Sequence, residues 1–355
     1  MNRRELLLAG GMTVAAGSLT PRLAWSTSPT PNVAGIDPLS MVDPEFRDPL
    51  ESMLKNGGSF SVNAENLQQS RKTWMTDSPT PTPAFEKRSI AGSKGAPDVQ
   101  VYVINAAAGD VKRPAILHIH GGGFVLGLAS EGIPALQRVA REHDCVIVTV
   151  DYRLAPETRF PGSLEDNYAA LKWLYASANS LGVDPSRIAV MGESAGGGHA
   201  AMLAIAARDR GEVPIAMQVL IYPMLDDRTG STHRVPPFVG AYIWTPASNQ
   251  FGWGSLLGIP AGSKHVPAGA VPARVEDLTG LPPAFIGVGA IDLFVEEDVE
   301  YARRLIHSGV PTELCVVPGG YHGFDLIAPD ASGSKAFRAS WNAALAKAFS
   351  RNRTT

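Results

Sequence analysis

The chain has 355 residues, 45% hydrophobic and 18% charged, a composition that supplies a large buried core and excludes global disorder. Lys and Arg number 31 against 34 Asp and Glu, a net charge of −3, so there is no basic excess to neutralise a phosphate backbone and no nucleic-acid partner is expected. Two cysteines, Cys145 and Cys315, are too few for a disulfide framework or a thiolate metal site.

At the N-terminus Arg3-Arg4 precede an uncharged, mostly apolar stretch over residues 6–19. That stretch is shorter than the about 20 residues that span a bilayer. It suits the hydrophobic region of a signal peptide, and the paired arginines suit the twin-arginine type. Ala24-Trp25-Ser26 puts small residues at −3 and −1 for cleavage after Ser26. Residues 1–26 therefore predict an exported, periplasmic protein with no stable membrane span in the mature chain. Both cysteines lie in strand-like apolar runs and are expected to be buried thiols.

Residues 27–84 read as a linker followed by two cap helices, over 44–54 and 64–75, the first opened by Asp43 ahead of Pro44. The alternating prolines 79, 81 and 83 favour an extended chain. From residue 85 short apolar strands alternate with helices. Strands are predicted over 115–120, 145–150, 187–191, 216–222, 283–289 and 312–317. Helices are predicted over 132–143, 164–180, 195–208, 296–308 and 335–349. This alternation predicts a mostly parallel sheet covered on both faces, an α/β fold. Residues 226–277 interrupt it with six prolines and five large aromatics. A segment of that length after a strand's C-terminal end reads as a cap insertion, dividing the core into 85–225 and 278–355.

Gly192-Glu193-Ser194-Ala195-Gly196 stands between a strand and a small-residue helix, the context of a nucleophile elbow. There a strained turn exposes the serine Oγ beside the free N–H groups of a helix N-terminus. His120-Gly121-Gly122-Gly123-Phe124 follows another strand and offers backbone N–H groups to an oxyanion; it lacks the spacing of a nucleotide-binding loop. In α/β-hydrolases the chain order is serine, acid, histidine. Of eight histidines, His322, in a glycine-rich loop after the last strand, fits that order best, while His199 and His307 read as packing or surface groups. Asp292 closes the penultimate strand and reads as the acid; Glu296, Glu297 and Asp298 fall in a helix's first turn, where the helix dipole accounts for them.

With Tyr152-Arg153-Leu154-Ala155-Pro156-Glu157, Phe160-Pro161, Gly197 and His322-Gly323-Phe324, these motifs make the chain from about Pro44 onward resemble the bacterial hormone-sensitive-lipase-like esterases. The resemblance implies an α/β-hydrolase core, a mainly helical cap built from the N-terminal helices and the insertion, and hydrolysis of carboxylic esters with no cofactor and no metal. Carried over by position, Ser194, Asp292 and His322 match the catalytic residues, and Gly122, Gly123 and Ala195 match the oxyanion donors. Glu193 departs from the family's usual Asp or Thr, and Leu293-Phe294 from its Pro-Leu after the acid. Trp244, Phe238, Tyr242 and Phe251 are the expected substrate-binding aromatics of the cap. The expected partner is a small-molecule ester of short to medium chain, and homodimerisation is left open. A lactonase or aryl-ester hydrolase would use the same site. A small-molecule receptor on this fold would lack the histidine that is present here at 322.

Overall fold

The computed structural model describes residues 35–56, 61–72 and 79–351; the expected signal peptide lies outside the described residues. Eight strands form one sheet: β1 (Phe85–Ile90), β2 (Val99–Ile104), β3 (Arg113–Ile119), β4 (Val146–Asp151), β5 (Val183–Glu193), β6 (Met217–Ile221), β7 (Ala284–Gly289) and β8 (Thr312–Val317). Their spatial order is β1-β2-β4-β3-β5-β6-β7-β8. β2 runs antiparallel to β1 and β4, and every other pair is parallel. The main helices are α1 (Pro44–Lys55), α2 (Leu67–Ser70), α3 (Ile133–His143), α4 (Gly162–Ala176), α5 (Ala178–Leu181), α6 (Ala195–Arg210), α7 (Pro246–Leu257), α8 (Val295–His307), α9 (Phe324–Ile327) and α10 (Ser332–Arg351). This is the mostly parallel α/β sheet that the alternation of elements predicts, in the α/β-hydrolase form that the resemblance implies.

Successive strand residues point to opposite faces, and the central strands are apolar on both. Leu117, Val148 and Val190 join Leu171 and Leu203 of α4 and α6 in one core. Ile116, Ile147 and Ala189 join Leu136, Phe337 and Leu345 of α3 and α10 in the other. Burial on both sides is why these strands read as continuous apolar runs.

β1 and β2 are not among the strands that the sequence predicts. β1 is an edge strand, Phe-Glu-Lys-Arg-Ser-Ile, mostly exposed, so it carries no apolar run. Charged residues on such an edge also discourage pairing with another chain. The second expected cap helix is four residues long in the described chain, because Asn63 Oδ1 accepts the N–H groups of Glu65 and Asn66 (2.9 and 3.0 Å) and holds the preceding residues in turns. Its residues 73–75 lie outside the described residues.

Within 226–277 the structure adds α7. Thr245 caps it by accepting from Ser248 N–H, Pro246 supplies its first turn, and Gly258 ends it in the left-handed region (φ 70°). Its buried face includes Ser248, Asn249 and Ser255, and its outer face carries Ala247, Gln250, Phe251 and Gly254, so polarity does not follow a helical period. The two ends of the insertion are tied together inside it. Arg274 donates from Nε and Nη2 to the two carboxylate oxygens of the fully buried Asp227, each at 2.7 Å, and Gly262 N–H adds a third bond. Among the described residues no helix is long and apolar enough to cross a membrane.

Candidate active site

The topology brings three strand ends together. Ser194 sits between β5 and α6 with φ 57° and ψ −122°, a conformation that costs a non-glycine residue about 1–3 kcal/mol. The surroundings hold it there: Ser194 N–H donates to Ile221 O (2.9 Å), and Ser194 O accepts from Met224 and Gly198 (3.0 Å each). The elbow needs glycine at 196, where a Cβ would lie 2.0 Å from the carbonyl oxygen of Ile119.

His322, in the loop after β8, reaches back to this turn. Its Nε2 lies 2.9 Å from Ser194 Oγ and its Nδ1 lies 2.8 Å from Asp292 Oδ2. Asp292 is fully buried after β7, and its other oxygen accepts from Phe294 N–H (3.0 Å). With the carboxylate accepting from Nδ1–H, Nε2 is left as the acceptor for the serine hydroxyl. The structure thus brings together Ser194, His322 and Asp292, the three residues that the sequence singled out.

The glycine loop lies against the same turn. Gly121 abuts Glu193 O, and at Gly123 (φ 59°) a Cβ would lie 2.0 Å from Trp244 Cη2. Ala195 is the first residue of α6, so its N–H has no partner within the helix. His120 stabilises the loop from behind. It stacks on Tyr152 (4.3 Å between centroids), donates from Nδ1 to Gly121 O (2.8 Å), and its carbonyl accepts from Tyr152 Oη (2.9 Å). Burial pulls His120 down to about 4, so it is neutral at pH 7. His199 is buried and likewise lowered to about 3 by burial, with Ser163 Oγ 2.8 Å from its Nε2; His307 is exposed.

Glu193, the residue that departs from the family pattern, turns to the strands. Its carboxylate accepts from His118 Nε2 (2.9 Å), and His118 Nδ1 accepts from Thr149 Oγ1 (2.9 Å). This chain, buried at His118 and Thr149 and half-buried at Glu193, crosses β5, β3 and β4.

The first turn of α8 is more differentiated than the helix dipole implies. Glu296 is exposed, whereas Glu297 is buried and accepts from the N–H groups of Leu225 (2.6 Å) and Asp226 (3.2 Å), where the insertion leaves β6. Asp298 is fully buried beside it, and burial raises both carboxyls well above the usual range. Sequence reasoning also missed Arg71. It donates to Val125 O (2.8 Å) and Ala155 O (2.9 Å) and pairs with both oxygens of Glu157, joining the N-terminal segment to the glycine loop. The signal available was Glu157 itself, an exposed acid inside a conspicuous motif.

The four expected substrate aromatics separate. Trp244 lies edge-on to Gly123, its Nε1 donating to Asn249 Oδ1 (3.1 Å). Tyr242 faces Tyr321, next to His322, at 6.4 Å between ring centroids. Phe238 is half-buried against the core that contains Phe337. Phe251 lines an open groove of about 390 Å³ with Pro156, Arg159 and Ile259, and none of Ser194, Asp292 and His322 lines that groove. Among the described residues no group of three or more His, Cys, Asp or Glu side chains is arranged to hold a metal ion.

Residues 116–326 match a sequence family described as alpha/beta hydrolase fold. Carboxylesterase NlhH of Mycobacterium tuberculosis is 36% identical over 261 residues, which cover 70% of this chain and 78% of the relative. Esterase LipI of the same organism is 34% identical over 251 residues, 69% of this chain and 77% of the relative. Among solved structures, "Bacterial Heroin Esterase" superposes with a TM-score of 0.78 at 36% identity, covering 88% of this chain and 99% of that one. On fold, motifs and these similarities, the chain belongs to the hormone-sensitive-lipase-like family of α/β-hydrolases and is a carboxylic-ester hydrolase.

Proposed function

We propose that the chain is a serine carboxylesterase that hydrolyses short- to medium-chain esters through an acyl-enzyme on Ser194. The observation that carries this reading is the pair of hydrogen bonds at 2.9 and 2.8 Å linking Ser194, His322 and Asp292 at a strained strand-to-helix turn. Ser194 Oγ attacks the ester carbonyl as His322 Nε2 takes its proton. Asp292 holds the Nδ1–H tautomer and stabilises the imidazolium. The negative charge on the carbonyl oxygen falls to the N–H groups of Gly122, Gly123 and Ala195, each such donor being worth roughly 2.7–4 kcal/mol in a comparable site. His322 returns the proton to the departing alcohol, then activates the water that releases the acid.

In this reading residues 226–277, with the N-terminal segment, form the cap, and Trp244 is the cap side chain that abuts Gly123. We further propose export through the signal at residues 1–26.

Ser194→Ala tests the mechanism. The variant is expected to keep its thermal midpoint and to lose at least about 10³-fold in kcat on a p-nitrophenyl ester. A folded variant that keeps most of its activity sinks the assignment.

A further inference from the structure

The imidazole of His322 is fixed by more than its two hydrogen bonds. Two aromatic rings meet it edge-on: Phe294 at 5.2 Å and 89°, and Tyr222 at 5.0 Å and 67°, between centroids. Tyr222 is not an ordinary packing residue. It directly follows β6 with φ 34°, in the left-handed region that a bulky side chain seldom adopts, and it is only 2% exposed. Such a backbone persists only where its surroundings over-determine it, and it gathers at functional sites. The backbone restraint here is Tyr222 N–H to Gly287 O at 2.6 Å.

The far end of the side chain is also restrained. Tyr222 Oη donates to Asp325 Oδ1 at 3.2 Å. Asp325 is 6% exposed and lies in the first turn of α9, three residues after His322, and Arg338 fixes that turn by donating to Asp325 O at 3.1 Å. The loop that carries the histidine thus also carries the acceptor that holds the ring packed against it.

We propose that Tyr222 and Asp325 form a positioning pair for His322, with Asp325 aiming the phenol and the phenol ring keeping the imidazole directed at Ser194 Oγ. The inference rests on His322 being the base. Neither residue of the pair touches the reacting atoms. Their effect is on the fraction of time that Nε2 spends within reach of the serine and of the leaving group, and small displacements there are costly, about 10²-fold for a full ångström.

The test is steady-state kinetics with a p-nitrophenyl ester on Tyr222→Phe, Asp325→Leu, Asp325→Asn, the double variant Tyr222→Phe/Asp325→Leu, and His322→Ala, each with its unfolding curve. Tyr222→Phe keeps the ring and removes only the bond that aims it, so kcat is expected to fall roughly tenfold with KM within about twofold. Asp325→Leu should give a similar loss. Asp325→Asn, which keeps an acceptor oxygen for the phenol, should rescue most of it. The double variant should lose no more than either single one, because both cut the same tie. The pair is overturned if folded Tyr222→Phe stays within about twofold of wild type, if Asp325→Asn and Asp325→Leu lose equally, or if the single losses multiply in the double variant. A Tyr222→Phe protein without a cooperative unfolding transition also overturns it, since the residue would then be structural. His322→Ala separates the two levels: activity retained there removes the base assignment itself, whereas activity lost there beside an unaffected Tyr222→Phe removes only the positioning pair.

Discussion

Adjacent residues at the elbow have opposite surroundings. Ser194 faces His322, whereas Glu193 is spent on His118 and through it on Thr149. A carboxylate so placed ties the elbow to two neighbouring strands. Asp325 shows what burial does to a similar group: the desolvation of its carboxyl, opposed by the Tyr222 hydrogen bond, pushes it up to about 6 from an ordinary 3.8. The folded chain therefore holds that proton more tightly than the unfolded chain does. The resulting stability is fully present below the ordinary value and is lost as pH rises through about 6. Across that window wild type should lose up to roughly 3 kcal/mol relative to Asp325→Asn, which has no charge to desolvate. Thermal midpoints of both proteins from pH 4 to 7 are the measurement, and parallel curves would mean that Asp325 titrates normally.

At the scale of elements, the insertion is a structured lobe closed by one buried ion pair. Asp227 is fully buried, and its carboxylate accepts from the Arg274 side chain, with Gly262 N–H beside it. Removing one partner of such a pair strands the other charge, at a cost of about 3–5 kcal/mol. Arg274→Ala should therefore destabilise by about that amount in urea unfolding. A change below about 1 kcal/mol, the size of an exposed pair, would show that water replaces the arginine. The loss should reach the site as well, because Glu297 of α8 holds the N–H groups of Leu225 and Asp226 immediately before the same aspartate.

At the scale of the whole molecule, the cap proposal makes a statement about substrate length. Each methylene buried under a closed cap gains about 0.8 kcal/mol until the space is filled. kcat/KM over p-nitrophenyl esters of increasing length should rise from acetyl to an optimum at roughly four to eight carbons and then fall. Trp244→Ala, which clears the side chain abutting Gly123, should move that optimum to longer acyl groups. A monotonic rise to long chains in wild type would indicate an open site and remove the closed-cap reading. Export is tested separately. Arg3-Arg4→Lys-Lys should leave full-length protein in the cytoplasm. Normal processing of that variant would point to another route.

The sequence by itself determined the parallel core and singled out Ser194, Asp292 and His322, which the fold brings within hydrogen-bond distance. Apolar runs mark strands buried on both faces, and the chemistry of an elbow, an acid and a base demands particular residue types at particular strand ends, in a fixed chain order. Tertiary structure alone decided what depends on contacts distant in the chain. The edge strand β1 has no apolar run because Ile90 alone of its six residues is buried, and its pairing with β2 places it in the sheet. Helix α7 gives no helical period because Ser248, Asn249 and Ser255 are buried while Phe251 lies on its outer face. The four cap aromatics were indistinguishable as letters; only the fold sets Trp244 against Gly123 and leaves Phe251 in an outer groove. Likewise Glu296, Glu297 and Asp298 share one local reason to open a helix, and the rotation of about 100° per residue leaves the first in solvent and buries the other two, where desolvation raises both carboxyls.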